Sequence, residues 1–190
     1  VSMKLNLVPV TNDVTGLVCA HFNSLQDAGR ANIIALRHHP AAVELIDDYI
    51  LNCTKDNIEQ NRNRFFVRGD PKAILIIEIT RPSVEEIESA ASAMESDMAA
   101  AGYGYHFPLI TGADEMARVW ELRKAGLGVL LNIPGRRKSV QVIEDTAVLP
   151  EFFPDYLAEA TAVLEKYNLS CAYYAHIATG ELHLSPLLDL

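Results

Sequence analysis

The chain has 190 residues and a mass of 20.9 kDa, with 49% apolar and 22% charged residues, which suits one globular domain with its own core. A formal net charge of −9 and a pI near 5.1 argue against a nucleic-acid binder, which needs a basic surface. No apolar run approaches the ~18 residues that span a bilayer, and the N-terminus shows no signal-peptide pattern. Cys19, Cys53 and Cys171 lack CxxC spacing and read as reduced thiols of a cytoplasmic protein.

Strands and helices interleave along the chain. LVCAHF (17–22) is β-prone and leads into a helix predicted from Ser24 towards Arg37. AAVELI (41–46) reads as a second strand, and DDYILN after it as helical. Residues 54–72 are polar and aperiodic, the pattern of a mobile loop. AILIIEI (73–79) is an unbroken apolar run and predicts a buried strand. In RPSVEEIESAASAMESDMAAAG, Ser83 and Glu86 form a capping box and Gly102 a C-terminal stop. Val84, Ile87, Ala91, Met94 and Met98 then share one helical face, so the methionine pair reads as core packing and not as a soft-metal surface.

YGYHFPLI (103–110) predicts a strand, DEMARVWELRKAG a helix, and Pro134 and Gly135 a loop. The basic cluster Arg136–Lys138 in that loop reads as solvated. VQVIED predicts a strand, residues 150–167 a helix, and CAYYAH a strand. This order predicts an α+β fold, an antiparallel β-sheet with helices layered on one side. No glycine-rich loop follows any strand, so a dinucleotide-binding or P-loop site is not expected. The closing LSPLLDL stops directly after a strand-like run, so residues 1–190 are expected to form one domain that is incomplete at its C-terminal end. The oligomeric state stays open.

Three places could carry chemistry. Arg123 falls in line with Met116, Val119 and Trp120 on one helical face. It either snorkels out near the helix end or offers its planar fork to a carboxylate. Glu144 and Asp145 are adjacent on a predicted strand, so they point to opposite faces and do not form a carboxylate pair. In HIATGELH (176–183), Thr179 and Gly180 read as a two-residue hairpin turn that places His176 directly opposite His183, close enough to share one metal ion. Two histidines alone fall short of the three protein ligands usual in a catalytic zinc site.

Together VWELRKAG, VIEDTAVLPE and YYAHIATGELHLSPLLDL resemble the C-terminal, substrate-side domain of the FAD-linked oxidases, a family that includes D-lactate, glycolate and D-2-hydroxyglutarate dehydrogenases. The final motif is most similar to the branch in which the flavoprotein half is fused to an iron–sulfur half. The resemblance implies that Arg123 holds the substrate carboxylate, and that His176 and His183 lie by the flavin as catalytic residues. In several members that histidine pair binds a divalent metal. It also places Glu144 and Asp145 near the active site. Ala175, Thr179 and Glu181 stand where the family's usual motif has Gly, Asp and Asn.

On this reading the chain is part of a flavoenzyme that oxidises a 2-hydroxy acid by hydride transfer to FAD. Its partners are its own FAD-binding domain, absent from these 190 residues, and the small acid. Electrons pass to an iron–sulfur cluster or another acceptor, and the isolated chain is inactive. The alternative is a non-catalytic α+β module for small-ligand binding or association. The two differ on whether Arg123, His176 and His183 come together. A small metallohydrolase built on the histidine pair lacks a third ligand of recognisable spacing.

Overall fold

The computed structural model describes residues 2–7 and 13–189. Its centre is set by two long apolar strands, β1 (Val14–Phe22) and, further along the chain, β3 (Ala73–Arg81). They pair antiparallel over their whole length, Val14 opposite Arg81 and Phe22 opposite Ala73. Side chains alternate between the two sheet faces. Val18, Ala20, Phe22, Leu75, Ile77 and Ile79 therefore enter one core, and Leu17, Cys19, Ile74 and Ile76 a second.

The full sheet adds β2 (Ala42–Asp47), β4 (Leu109–Ile110), β5 (Arg137–Ser139), β6 (Ile143–Ala147), β7 (Cys171–His176) and β8 (Glu181–Asp189). Its order is β4-β1-β3-β2-β7-β8-β5, with β6 also alongside β8. Every pairing is antiparallel. The helices are α1 (Leu25–Arg37), α2 (Asp48–Cys53), α3 (Ile58–Arg62), α4 (Val84–Ala100), α5 (Ala113–Leu131) and α6 (Phe153–Lys166).

The α+β, antiparallel architecture is the expected one. Helices α1, α4 and α6 cover the first core, through residues such as Ala31, Ile87, Met94, Phe153 and Leu157. The second face is covered as well: Ile50 and Leu51 of α2 and Val119, Leu122 and Leu130 of α5 pack on it. A strand with apolar residues at consecutive positions, as in AILIIEI, needs cover on both sides. Helix starts follow the capping signals, with Ser24 Oγ accepting from Asp27 N at 3.0 Å and Ser83 Oγ accepting from Glu86 N at 3.3 Å.

Two expectations are corrected. Residues 54–72 contain α3 and a 3-10 turn at Asn63–Phe66, and Phe66 is buried in the second core. Hydrogen bonds to backbone carbonyls tie this segment to its neighbours. Arg64 donates to Leu51 O and to Thr54 Oγ, while Arg118 donates to Arg62 O and stacks on Phe65. In YGYHFPLI only Leu109–Ile110 is strand, with an isolated bridge from His106 to His21. Gly102 and Gly104 both adopt φ 80, which interrupts extended backbone.

Two buried polar groups tie elements together. His21 is fully buried; its Nδ1 lies 2.7 Å from Cys19 O, and Arg68 N–H donates to its Nε2 at 3.2 Å. Nδ1 therefore carries the proton, and burial pushes the ring pKa down to about 4. Asp47 caps α2 by accepting from Ile50 N at 2.9 Å and also accepts from Tyr173 N of β7 at 2.7 Å. Burial raises its pKa to about 7. Among the described residues no helix is long and apolar enough to cross a membrane.

Candidate functional site

The β7–β8 hairpin does not close through a two-residue turn. Ile177–Thr179 form a 3-10 turn, and Gly180 follows at φ 78, its N–H donating to Ile177 O at 3.1 Å. A type I′ turn needs positive φ at both central residues, which a β-branched threonine resists. Thr179 Oγ1 instead donates to His176 O at 3.0 Å. The longer loop shifts the register, so His176 pairs with Glu181 and His183 with Tyr174. The expected direct opposition of the two histidines is thus wrong. A two-residue offset still keeps both on one sheet face, and their rings stand 5.3 Å apart, edge to face.

Asn32 of α1 holds the hairpin tip from the other face. It is fully buried and its Nδ2 donates to Ile177 O at 2.9 Å. Asn32→Ala is expected to lower stability by about 1 kcal/mol through loss of this bond. Chemical denaturation checks it; an unchanged midpoint would mean that the Gly180 N–H satisfies Ile177 O alone.

Asp145 reaches the same face through strained backbone. The β6–β8 register shifts between Ile143 and Thr146, and Asp145 there adopts φ 54. A bulge re-aims a side chain in this way, and Asp145 Oδ1 lies 3.2 Å from His183 Nδ1. Glu181 Oε1 lies 3.7 Å from His183 Nε2. The side chain of Glu144 falls outside the described residues.

Arg123 does not snorkel. On α5 it follows Leu122, which is fully buried, and its side chain is 13% exposed. Its Nη2 donates to Glu44 Oε2 at 2.8 Å, while its Nε is buried with no partner in the structure. Glu44 Oε1 lies 2.8 Å from His176 Nδ1. A carboxylate only accepts, so Nδ1 is the donor and Nε2 is not engaged by Glu44. Tyr174 lies 5.3 Å from the Arg123 guanidinium and stacks on His183 at 4.5 Å. Arg123, Glu44, His176, His183 and Tyr174 therefore close a ring of contacts on the face covered by α5.

His176, Glu181 and His183 each bring one ligand atom to within 4.8 Å of the others. A cavity of about 720 Å³ lies elsewhere, between α2 and the second half of α5, lined by Tyr49, Asn52, Cys53, Val129 and Asn132. None of the ring residues lines it. Sequence reasoning missed Glu44 and Tyr174. An acid flanked by Val43 and Leu45 in the apolar strand AVELID was the available signal for the first.

A helix-covered antiparallel sheet bearing an arginine, two histidines and several carboxylates on one face defines the class of domain. The chain belongs to the family of FAD linked oxidases, C-terminal domain, whose model matches residues 11–190. It is 29% identical over 198 residues to a D-2-hydroxyglutarate dehydrogenase of Pseudomonas putida, covering 100% of this chain and 19% of that protein. It is 27% identical over 190 residues to the enzyme of that name from Escherichia coli, covering 93% of this chain and 18% of that protein. The chain thus spans about a fifth of the length of the curated relatives it matches. The solved structure of an alkyldihydroxyacetonephosphate synthase shares the fold, with a TM-score of 0.54 at 10% identity, over 92% of this chain and 35% of that one.

Proposed function

We propose that the chain is the substrate-side domain of an FAD-dependent 2-hydroxy-acid dehydrogenase, with D-2-hydroxyglutarate as the candidate substrate. The observation that carries this reading is the gathering of Arg123, His176 and His183, from one helix and two strands, onto one sheet face. A non-catalytic module has no need to collect them. Arg123 retains N–H groups beyond the one given to Glu44, and these hold the substrate carboxylate. When the pair holds no metal ion, His176 or His183 accepts the hydroxyl proton; an imidazole nitrogen that ligates a metal cannot also do so. FAD would supply the hydride acceptor for oxidation of the hydroxyl-bearing carbon, giving a 2-oxo acid. No glycine-rich phosphate loop is present here, and FAD is held by the protein's own FAD-binding domain. An iron–sulfur cluster is the proposed onward electron acceptor.

The donor set of His176, Glu181 and His183, two imidazoles and a carboxylate, fits a divalent cation such as zinc. Such an ion would supply Lewis-acid polarisation of the substrate hydroxyl. Glu181, one of the residues that departs from the family's usual motif, supplies the third ligand. The free cysteines Cys19, Cys53 and Cys171 fit a cytoplasmic protein.

Arg123→Lys tests the reading in the flavin-loaded enzyme that contains this domain. The ammonium cannot reproduce a planar fork, so kcat/KM for D-2-hydroxyglutarate is expected to fall about 10- to 100-fold, with a raised KM. Unchanged kinetics would mean that the guanidinium serves only Glu44.

A further inference from the structure

We propose that Glu44 is a positioning residue: it joins Arg123 and His176 into one rigid unit, so that a guanidinium edge and an imidazole nitrogen face the substrate at a fixed separation. The inference rests on Arg123 being the carboxylate anchor. Its basis is the use of the two carboxylate oxygens, one on each partner and both at 2.8 Å. The Glu44 side chain is 14% exposed, and Arg123 and His176 belong to separate elements, α5 and β7.

The backbone under Glu44 cannot slide. On one side it pairs with Ile76 of β3, and on the other the adjacent Leu45 pairs with Ala175 of β7. Its neighbours Val43 and Leu45 are buried in the opposite core, so a slip of one residue would drive the carboxylate into apolar packing. Glu44 also leaves its partners available. It takes one of the five guanidinium N–H groups and leaves Arg123 Nε, a buried donor, without a partner. From His176 it takes only Nδ1 and leaves Nε2. A carboxylate so placed acts through the two residues it holds and need not touch substrate.

The length of the side chain is part of the proposal. Aspartate keeps the charge but is shorter by one C–C bond, about 1.5 Å, and cannot hold both partners. In the intact flavin-loaded protein, Glu44→Gln and Glu44→Asp are each expected to weaken oxalate binding, read by isothermal titration, about ten-fold. The same variants should lower kcat/KM for the 2-hydroxy acid, with far-UV circular dichroism unchanged. If Gln at this position unfolds the protein, the Asp variant, which leaves no uncompensated guanidinium, carries the test. Combined with Arg123→Lys, neither should add a further loss in oxalate affinity, because Glu44 acts there through Arg123.

Wild-type oxalate affinity and kcat/KM in Glu44→Asp, or fully additive losses in the double variants, overturn the proposal. The outcomes also separate it from the reading it rests on. An impaired Arg123→Lys beside unimpaired Glu44 variants removes the role of Glu44 alone. An unimpaired Arg123→Lys removes the anchor, and this inference with it.

Discussion

Gly180→Ala is expected to destabilise the protein by about 3 kcal/mol or more and to displace the histidine hairpin. Two costs combine at this position. The residue sits at φ 78, where any L-residue with a Cβ pays about 1–2 kcal/mol. A Cβ there would also overlap the carbonyl oxygen of Val148, a backbone atom that no rotamer change can move. The two segments cannot part cheaply, because Val148 N–H donates to Gly180 O at 3.1 Å. The free-energy difference from chemical denaturation measures the sum. Gly135→Ala is the control: φ is 99 there but nothing lies within 4 Å of the added carbon, so only the conformational cost should appear. Equal losses in the two variants would show that the Val148 segment yields freely.

Between pH 6.5 and pH 4 the wild-type protein is expected to lose about 3 kcal/mol more stability than His21→Gln. The folded-state pKa of His21 lies below the ordinary 6.5, at about 4, because burial disfavours the imidazolium. Its contribution is therefore complete above pH 6.5 and lost as pH falls through 4, where the unfolded chain has already taken up the proton. Asp47 works in the opposite direction over much of the same range. Burial raises it from 3.8 to about 7, so its contribution is complete below pH 3.8 and lost as pH rises through 7. The total pH dependence of the protein in this window is thus flatter than either group alone would produce, and the variant exposes the His21 part. Urea unfolding at the two pH values reads the difference, and parallel behaviour of variant and wild type would refute the assignment.

Much of the fold was legible from local signals. CAYYAH is strand over 171–176, and the helix opened by Ser83 runs over Val84–Ala100 with Ile87, Ala91, Met94 and Met98 buried. AILIIEI carried more information than a single buried strand: adjacent apolar residues already demand two covered faces, which α2 and α5 supply. What local pattern could not show was hydrogen bonding at long range. Arg64 reaches Leu51 O of α2, and Arg118 of α5 reaches Arg62 O, tying residues 54–72 to both helices, and composition alone is blind to that.

The site divides in the same way. Arg123, His176 and His183 stood out through residue type and motif, and Asp145 through the acidic pair of its strand and the family resemblance. Glu44 was hidden because its significance lies in two contacts made 79 and 132 residues away along the chain. The hairpin register failed at Thr179, where steric restriction of a β-branched residue outweighs the brevity of the Thr-Gly pair.

The contact between β2 and β7 (Leu45 with Ala175) joins regions far apart in the chain, and the site straddles that seam. Closing so large a loop is entropically slow, and contacts of high sequence separation form late in folding. Glu44 meets His176 only once the C-terminal strands have docked. A refolding chain is therefore expected to regain most of its helical signal before the imidazole–carboxylate pair exists. A chain interrupted before the final hairpin would hold Glu44 and Arg123 but neither histidine of the site.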